Sequence, residues 1–526
     1  MGFLKKLFSK IRASLYVFKK AEILRNVVNK EIGGEYDNLC HSCYFNERYH
    51  ERAKLEGIFQ PEKGLRISIY LGGALGDYIV YLRFVDEISS ICKCHVDLFI
   101  DRIEFATYVY GTRENVTIIH DAQNCLFNDS CCEYDLAVHL DHGLTLRHCN
   151  VGSIREKAPD FYVTACKIVE YSKSHQINIA NQHERETVIL RRAKFLRETK
   201  WSKLSCGGAI DMESMYSNLL VDPAWIPVLH RYQLHEVRYI TVNYGADKNM
   251  GGTAQTKVLP FTTISAFIQK FKEKHPDILI VQTGVKNSMK LSGADKYAFD
   301  CRLEETAVIL KRSLCHVDSE GGLVHMASQL STPCVVSFGP TPVYYYGYPR
   351  NKNIVAPACS DCMSTTPQWS RVCPKGLQVP DCMTSISVEK ILDAVEEVLL
   401  NRLPELQDPI KTIEAREMPD MPAACRIGII APLTKACVQK AISLKEEGKV
   451  VEVFIPTHIN DEIVEYRTIL KKSGIKVEYG TAFNIARTSG WFDAVFCGRV
   501  KPEWEKYVTG ECKRILTNNG TLIWIN

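Results

Sequence analysis

The sequence predicts an α/β protein in which two Rossmann-like domains face a cleft, with an amphipathic helix before them and a small α/β module after them. Three stretches carry that prediction. Near residue 66 the apolar run Arg66-Ile-Ser-Ile-Tyr-Leu71 meets the glycine turn Gly72-Gly-Ala-Leu-Gly-Asp77 and then helix-patterned sequence, the opening unit of a doubly wound sheet. A second cycle begins where Tyr239-Ile-Thr-Val-Asn-Tyr runs into Gly245. The third stretch, 314–341, reads as a strand end, a turn at Gly321 and Gly322, a helix and a second apolar strand. A glycine turn before a helix lets backbone N–H groups approach an anion while the helix points its positive end at it. Two such sets imply two sheets sharing one cleft.

A chain of 526 residues is too long for one hydrophobic core. The reading divides it into an N-terminal helical segment (1–62), a first Rossmann-like domain (63–235), a second (236–402), a Pro- and Glu-rich linker (403–425) and the small α/β module (426–526). A composition of 46% hydrophobic and 24% charged residues is that of a globular protein. The net charge of +4 lacks the strongly basic footprint of a nucleic-acid binder, so no nucleic-acid partner is expected. No run approaches the roughly 18 apolar residues of a membrane span. The 21 cysteines are odd in number and scattered, and no export signal precedes them. That pattern fits a reducing compartment and free thiols, and the expected location is cytoplasmic.

Taken in order, the first 28 residues place Phe3, Leu4, Leu7, Phe8, Ile11, Leu15 and Phe18 on one helical face. Lys5, Lys6, Lys10, Arg12, Lys19 and Lys20 accompany them, and no acid appears before Glu22. An apolar stripe flanked by basic residues suits a helix lying in an anionic membrane surface, here the cytoplasmic face. Cys40, Cys43 and His50 have metal-ligand chemistry without a second pair nearby and read as plain thiols and an imidazole. After the first turn, a helix is predicted over 78–91 and strands over 95–100, 116–119 and 135–140. Asp77 then sits at the carboxyl end of the first strand, facing the crevice, and also suits an N-cap. The turn Asp141-His-Gly143 reads as a candidate binding loop. Residues 150–230 read as mainly helical, and the charge-dense run 185–197 as a solvated helix face. In the second cycle a turn rich in Gly, Asn and Thr (246–256) leads to Lys257, followed by a helix over 261–275 and a strand over 278–282. A helix over 387–400 closes the second domain. In the final module, Trp491-Phe-Asp-Ala-Val-Phe496 resembles the later half of a class I methyltransferase but has no glycine-rich cofactor loop, which leaves an accessory or partner-binding module.

Five pieces together resemble the ADP-heptose:lipopolysaccharide heptosyltransferases, glycosyltransferase family 9. They are Leu75-Gly-Asp-Tyr-Ile-Val80, Tyr134-Asp-Leu-Ala-Val-His-Leu140, Thr256-Lys-Val-Leu-Pro260, Glu320-Gly-Gly-Leu-Val-His-Met-Ala327 and Thr332-Pro-Cys-Val-Val-Ser-Phe-Gly-Pro-Thr341. The resemblance spans about 64–400 and implies a GT-B fold whose first domain takes the acceptor and whose second takes a nucleotide-sugar donor. It implies Asp77 as the general base on the acceptor hydroxyl, a role that suits a carboxylate whose pKa is lifted by burial or neighbours. Lys257 would hold the donor phosphates, with Gly245, Glu320, Gly321, Gly322 and His325 as further donor contacts. The family pattern has Asp followed by Ser or Thr where this chain has Glu320-Gly321, a departure at the sugar-contacting position. The implied reaction is one inverting displacement of a nucleoside diphosphate without a catalytic metal, and no Asp-x-Asp motif is present.

Cys359, Cys362, Cys373 and Cys382 follow in a polar, proline-punctuated segment with the pattern C-x2-C-x10-C-x8-C. Four thiolates suit a closed, structural zinc or iron site. Similar autotransporter heptosyltransferases hold an iron on four cysteines. The functional expectation is transfer of a heptose-like sugar to a lipopolysaccharide or other surface glycan, or glycolipid, at the membrane. The alternatives are a protein O-glycosyltransferase of the autotransporter type and a non-catalytic nucleotide-sugar-binding scaffold. Asp77, Lys257 and His325 occurring together speak against the scaffold.

Overall fold

The computed structural model describes residues 64–525 except 114, 122–123, 176–181, 218, 246–255, 403–410, 416–419, 424, 431–433, 456–460, 481 and 501. The predicted helix over 1–28, the thiols Cys40 and Cys43, His50 and most of the turn 246–256 lie outside the described residues.

The first apolar runs form a five-stranded sheet from β1 (Leu65–Leu71), β2 (Cys94–Ile100), β3 (Val116–His120), β4 (Leu136–Leu140) and β5 (Leu144–Cys149), in the order β3-β2-β1-β4-β5. Its pairs are parallel except β4 with β5. Every residue of β2 is buried, as expected of a parallel strand covered on both faces. The second sheet holds β6 (Tyr239–Asn243), β7 (Leu279–Thr283), β8 (Lys296–Ala298), β9 (His316–Ser319), β10 (Cys334–Phe338) and β11 (Lys352–Val355), all parallel, in the order β11-β10-β9-β6-β7-β8. A third parallel sheet, β12-β17-β16-β13-β14-β15, is built from β12 (Lys411–Glu414), β13 (Arg426–Ile430), β14 (Val450–Ile455), β15 (Lys476–Tyr479), β16 (Phe492–Gly498) and β17 (Leu516–Ile525). β12 falls inside the stretch read as a linker, so part of that stretch is an edge strand of the third sheet.

Eight helices matter below: α1 (Leu75–Ile91), α2 (Pro159–His175), α3 (Gln182–Leu196), α4 (Leu303–Arg312), α5 (Gly322–Gln329), α6 (Val343–Tyr346), α7 (Asp461–Lys472) and α8 (Pro502–Ile515). α1 starts three residues before its predicted first residue because Asp77, inside its first turn, accepts the backbone N–H of Ala74 at 2.8 Å. That bond satisfies an amide the helix itself cannot. Asp77 is therefore an in-helix cap partner, not the N-cap residue.

Of the seventeen residues of α1, thirteen are buried, so the helix is enclosed on nearly all sides. Its own sheet covers one side, and its first turn meets α5 of the second domain. One apolar cluster runs unbroken from Leu65 and Val80 through Trp201 to Met326, Val336 and Tyr345. The third unit touches both domains behind the cleft. From α7, Arg467 donates to the Ser89 carbonyl at the end of α1 (2.7 Å), and from α8, Glu511 pairs with Lys311 of α4 (2.7 Å). Between them Asn484 donates to the carbonyls of Leu219 and Gln329 (2.7 and 3.1 Å).

Candidate active site

In both Rossmann-like sheets the chain reverses its direction of strand addition once, between β1 and β4 and between β6 and β9. Ligands of such sheets bind outside the carboxyl ends of the strands at that reversal. Asp77 follows β1 and the turn 141–143 follows β4, while Gly245 follows β6 and Glu320 follows β9. The chemistry-bearing turns of the two domains thus sit at the two reversal points, and the domains meet there. A Cβ added at Gly76 would lie 2.5 Å from His325 Cδ2, and one at Gly322 would lie 3.2 Å from Leu75 Cβ. The first turns of α1 and α5 therefore touch through residues without side chains.

Lys200 is the partner of Asp77, its ammonium donating to Oδ1, with Lys200 3% and Asp77 20% exposed in their side chains. Burial pushes the Asp77 pKa up, but the Lys200 ammonium, nearby His142 and the Ala74 amide outweigh it and hold the carboxyl below its usual range. The expectation that its surroundings lift Asp77 is thus corrected: it is a committed anion, ready to accept a proton, with basicity restrained by Lys200. Lys200 in turn lies over the rings of Tyr81 and Tyr346, 5.7 and 5.2 Å from their centroids. Gly73, at φ +120°, is where glycine is required: the conformation is strained for other residues, and a Cβ there would collide with the Asp77 carboxylate.

Across the seam, Lys257 pairs with Glu320 at 2.5 Å, and Glu320 lies 3.6 Å from His325 Nε2. Burial raises the Glu320 pKa, yet Lys257 and His325 overcome it and hold the group far below its normal value. His325 is buried, its Nδ1 sharing a 2.9 Å hydrogen bond with the Tyr348 hydroxyl. It lines the seam beside Glu320. Gly321 has φ 179°, which any residue adopts, and what Gly322 admits closely is α1. Gly245, at φ +120°, turns the chain at the end of β6, with open space where a Cβ would be.

The sequence reading missed Lys200 and the tyrosines 344–348. Tyr345 reaches across the cleft to donate to the His142 carbonyl at 3.0 Å, and Tyr344 contacts the Leu190 carbonyl at 3.4 Å. Tyr346 feels the charge of both Asp77 and Glu320, so the two carboxylates flank one phenol. Three consecutive tyrosines beside Gly347 in a turn were the available signal. The run 185–197, read as a solvated face, also takes part. Glu186 accepts from Ser364 Oγ at 3.0 Å and lies 3.6 Å from His142 Nε2.

Cys359, Cys362, Cys373 and Cys382 line one cavity of about 50 Å³ with Thr256 and Lys375. The expected zinc or iron is nevertheless not supported. Among the described residues no group of three or more His, Cys, Asp or Glu is placed to hold a metal ion. Burial pushes the Cys382 thiol up to about 12 and the Cys362 thiol upward, and Cys382 shares a hydrogen bond with the free thiol of Cys359. The loop packs as a support: Thr256, one residue before Lys257, donates to the Ser370 carbonyl at 3.0 Å.

No family model and no curated protein matches the chain. Among solved structures it is similar to the ADP-heptose lipopolysaccharide heptosyltransferase II of E. coli, at 12% identity and a TM-score of 0.41, over 64% of this chain and 99% of that one. The fold is of the GT-B type. A family 9 glycosyl transferase from Veillonella parvula is similar at 15% identity and a TM-score of 0.41, over 65% of this chain and 99% of its own. TibC, an iron-containing dodecameric glycosyltransferase of enterotoxigenic E. coli, is similar at 13% identity and a TM-score of 0.43, over 66% and 81%. The GT-B assignment rests on the two sheets and their opposed reversal points.

Proposed function

We propose that this chain is a glycosyltransferase that moves a sugar from a nucleoside-diphosphate sugar, such as ADP-heptose, to an acceptor hydroxyl in one inverting displacement. The observation that carries the reading is the meeting of two reversal points, which sets the Asp77 carboxylate and the Lys257–Glu320 pair on opposite walls of one seam. Asp77 takes the acceptor proton as its oxygen attacks the anomeric carbon. Lys257 and the first-turn amides of α5 receive the charge of the departing diphosphate. Tyr346, between the two carboxylates, shields the seam from water. The motif resemblance supplies the heptose-like sugar and a surface-glycan acceptor, and residues 1–28 bring the enzyme to an anionic membrane surface on the cytoplasmic side.

Release of nucleoside diphosphate from a panel of nucleotide sugars tests the activity. Asp77→Asn is expected to lower turnover about 10²–10⁴-fold with donor affinity unchanged. Turnover at the wild-type rate in that variant would refute the assignment of the base.

A further inference from the structure

On the acceptor side of the turn 141–143 lies a second cavity, of about 50 Å³, walled by Asp141, Gly143, Tyr171, Arg185, Arg192 and Lys203. It has room for a few waters, the scale of a carboxylate or a phosphate group rather than a sugar ring. Lys203 is 8% exposed and lines this space, and its Nζ has no hydrogen-bond partner among the described residues. Leaving an ammonium buried and unpaired is costly, and proteins normally pair such a group. Here the carboxylate in the cavity wall, Asp141, is ion-paired with Arg185, and Glu198 acts on Lys203 through its charge without a hydrogen bond to it. Arg192 makes no ion pair among the described residues. His139 is held neutral, its pKa pulled down to about 4 chiefly by burial, with Arg147 and Arg185 opposing Asp141. Two cations, Lys203 and Arg192, therefore face a small space whose own carboxylate, Asp141, is already paired.

We infer that this cavity is an anion subsite, distinct from the donor's phosphate site, that holds a carboxylate or phosphate carried by the acceptor. Its position fits that role. The turn that walls it also carries His142, which lies within electrostatic reach of Asp77. An acceptor anchored by its acidic substituent on Lys203 and Arg192 then presents a hydroxyl one turn away, at Asp77. Tyr171, stacked on His175 with ring centroids 4.0 Å apart, supplies a flat wall beside the anion. Burial, then Arg192 repulsion, pull the Lys203 pKa down to about 8 against the attraction of Glu198. An entering anion reverses that shift, so binding takes up a proton near and above pH 8, and affinity falls as pH rises past it.

The inference rests on acceptor activation at Asp77, and its test has two separable arms. In the first, inorganic phosphate is titrated calorimetrically into full-length protein saturated with ADP, at pH 8 in two buffers of different ionisation enthalpy. Binding with proton uptake, about tenfold weaker in Lys203→Met and unchanged in Lys257→Ala, is the expected result. Equal affinity in Lys203→Met, or no proton uptake, overturns the subsite. Lys203→Met removes a buried unpaired charge and should melt no lower than wild type without phosphate. Arg192→Gln, at a half-buried position, gives the same weakening if the methionine variant fails to fold. In the second arm, transfer to methyl glucuronide, glucose 6-phosphate and methyl glucoside is compared. Lys203→Met should raise KM for the acidic acceptor that is used and leave the neutral one unchanged, and the preferred acid identifies carboxylate or phosphate. An equal effect on all three overturns the acceptor role. Phosphate binding at Lys203 in a protein that transfers no sugar would sink the proposed function and leave the anion site standing.

Discussion

Replacing Gly76 by alanine tests whether the seam between α1 and α5 sets the active geometry. A Cβ at this position lies 2.5 Å from His325 Cδ2 and 3.2 Å from its Nε2. Carbon atoms rest at about 3.5–4.0 Å, so roughly 1 Å has to be found. His325 has little freedom to supply it, because Tyr348 ties its Nδ1 at 2.9 Å and the Trp201 ring sits 6.0 Å from its own. The strain goes into parting the two helices, at about 1–3 kcal/mol. Alanine offsets up to about 1 kcal/mol of that as the better helix former. The net loss of stability is therefore about 0–3 kcal/mol. The kinetic effect is larger, since Asp77 follows Gly76 in the chain and Glu320 leans on His325. Parting the walls by about 1 Å should lower kcat/KM about 10²-fold. Urea unfolding and steady-state transfer on the same preparation measure both. Wild-type turnover in Gly76→Ala would refute the argument. So would additivity with His325→Ala, because truncating the histidine removes the obstacle and the two changes should compensate.

Glu320→Gln frees Lys257 from its carboxylate, so ADP should bind more tightly by calorimetry, about tenfold; unchanged affinity would mean the pair does not compete with the diphosphate. Lys200→Met removes the main charge holding Asp77 below its usual range, so the acidic limb of the kcat/KM profile should move to higher pH. The sign for stability follows: a depressed carboxyl stabilises the fold above its unfolded pKa of about 3.9 and loses that as pH falls through the folded value, so wild type and variant should converge in acid. Deleting residues 1–28 should abolish sedimentation with vesicles containing phosphatidylserine, and retained binding would remove the membrane role.

Strands β1, β6 and β10 were legible because each is a short, mainly apolar run with a glycine or proline at or near an end, and burial on both faces of a parallel sheet demands such a run. The turns after β1 and β9 were legible for the same local reason, and they contain Asp77 and Glu320. Lys200 was not. It stands 123 residues from Asp77, in a Lys-Trp pair that differs little from any helix end, and only tertiary packing makes it a partner. β12 was hidden differently. Lys411-Thr-Ile-Glu414 has one large apolar residue in a Pro- and Glu-rich stretch, and it becomes a strand by pairing with β17 at a sheet edge. The cysteine spacing fixed which thiols share a loop but carried no information on how far apart their sulfurs settle, and that distance is what a metal requires. The same limit governed the cavity at Lys203. Its walls come from β4 and the turn after it, α2, α3 and the turn after α3; only the turn after β4 was read as a binding loop, and the charged residues of α3 were read as a solvated face. A charged side chain looks solvated in sequence whenever the segment that buries it is remote, so unpaired buried cations are among the last features a sequence reveals.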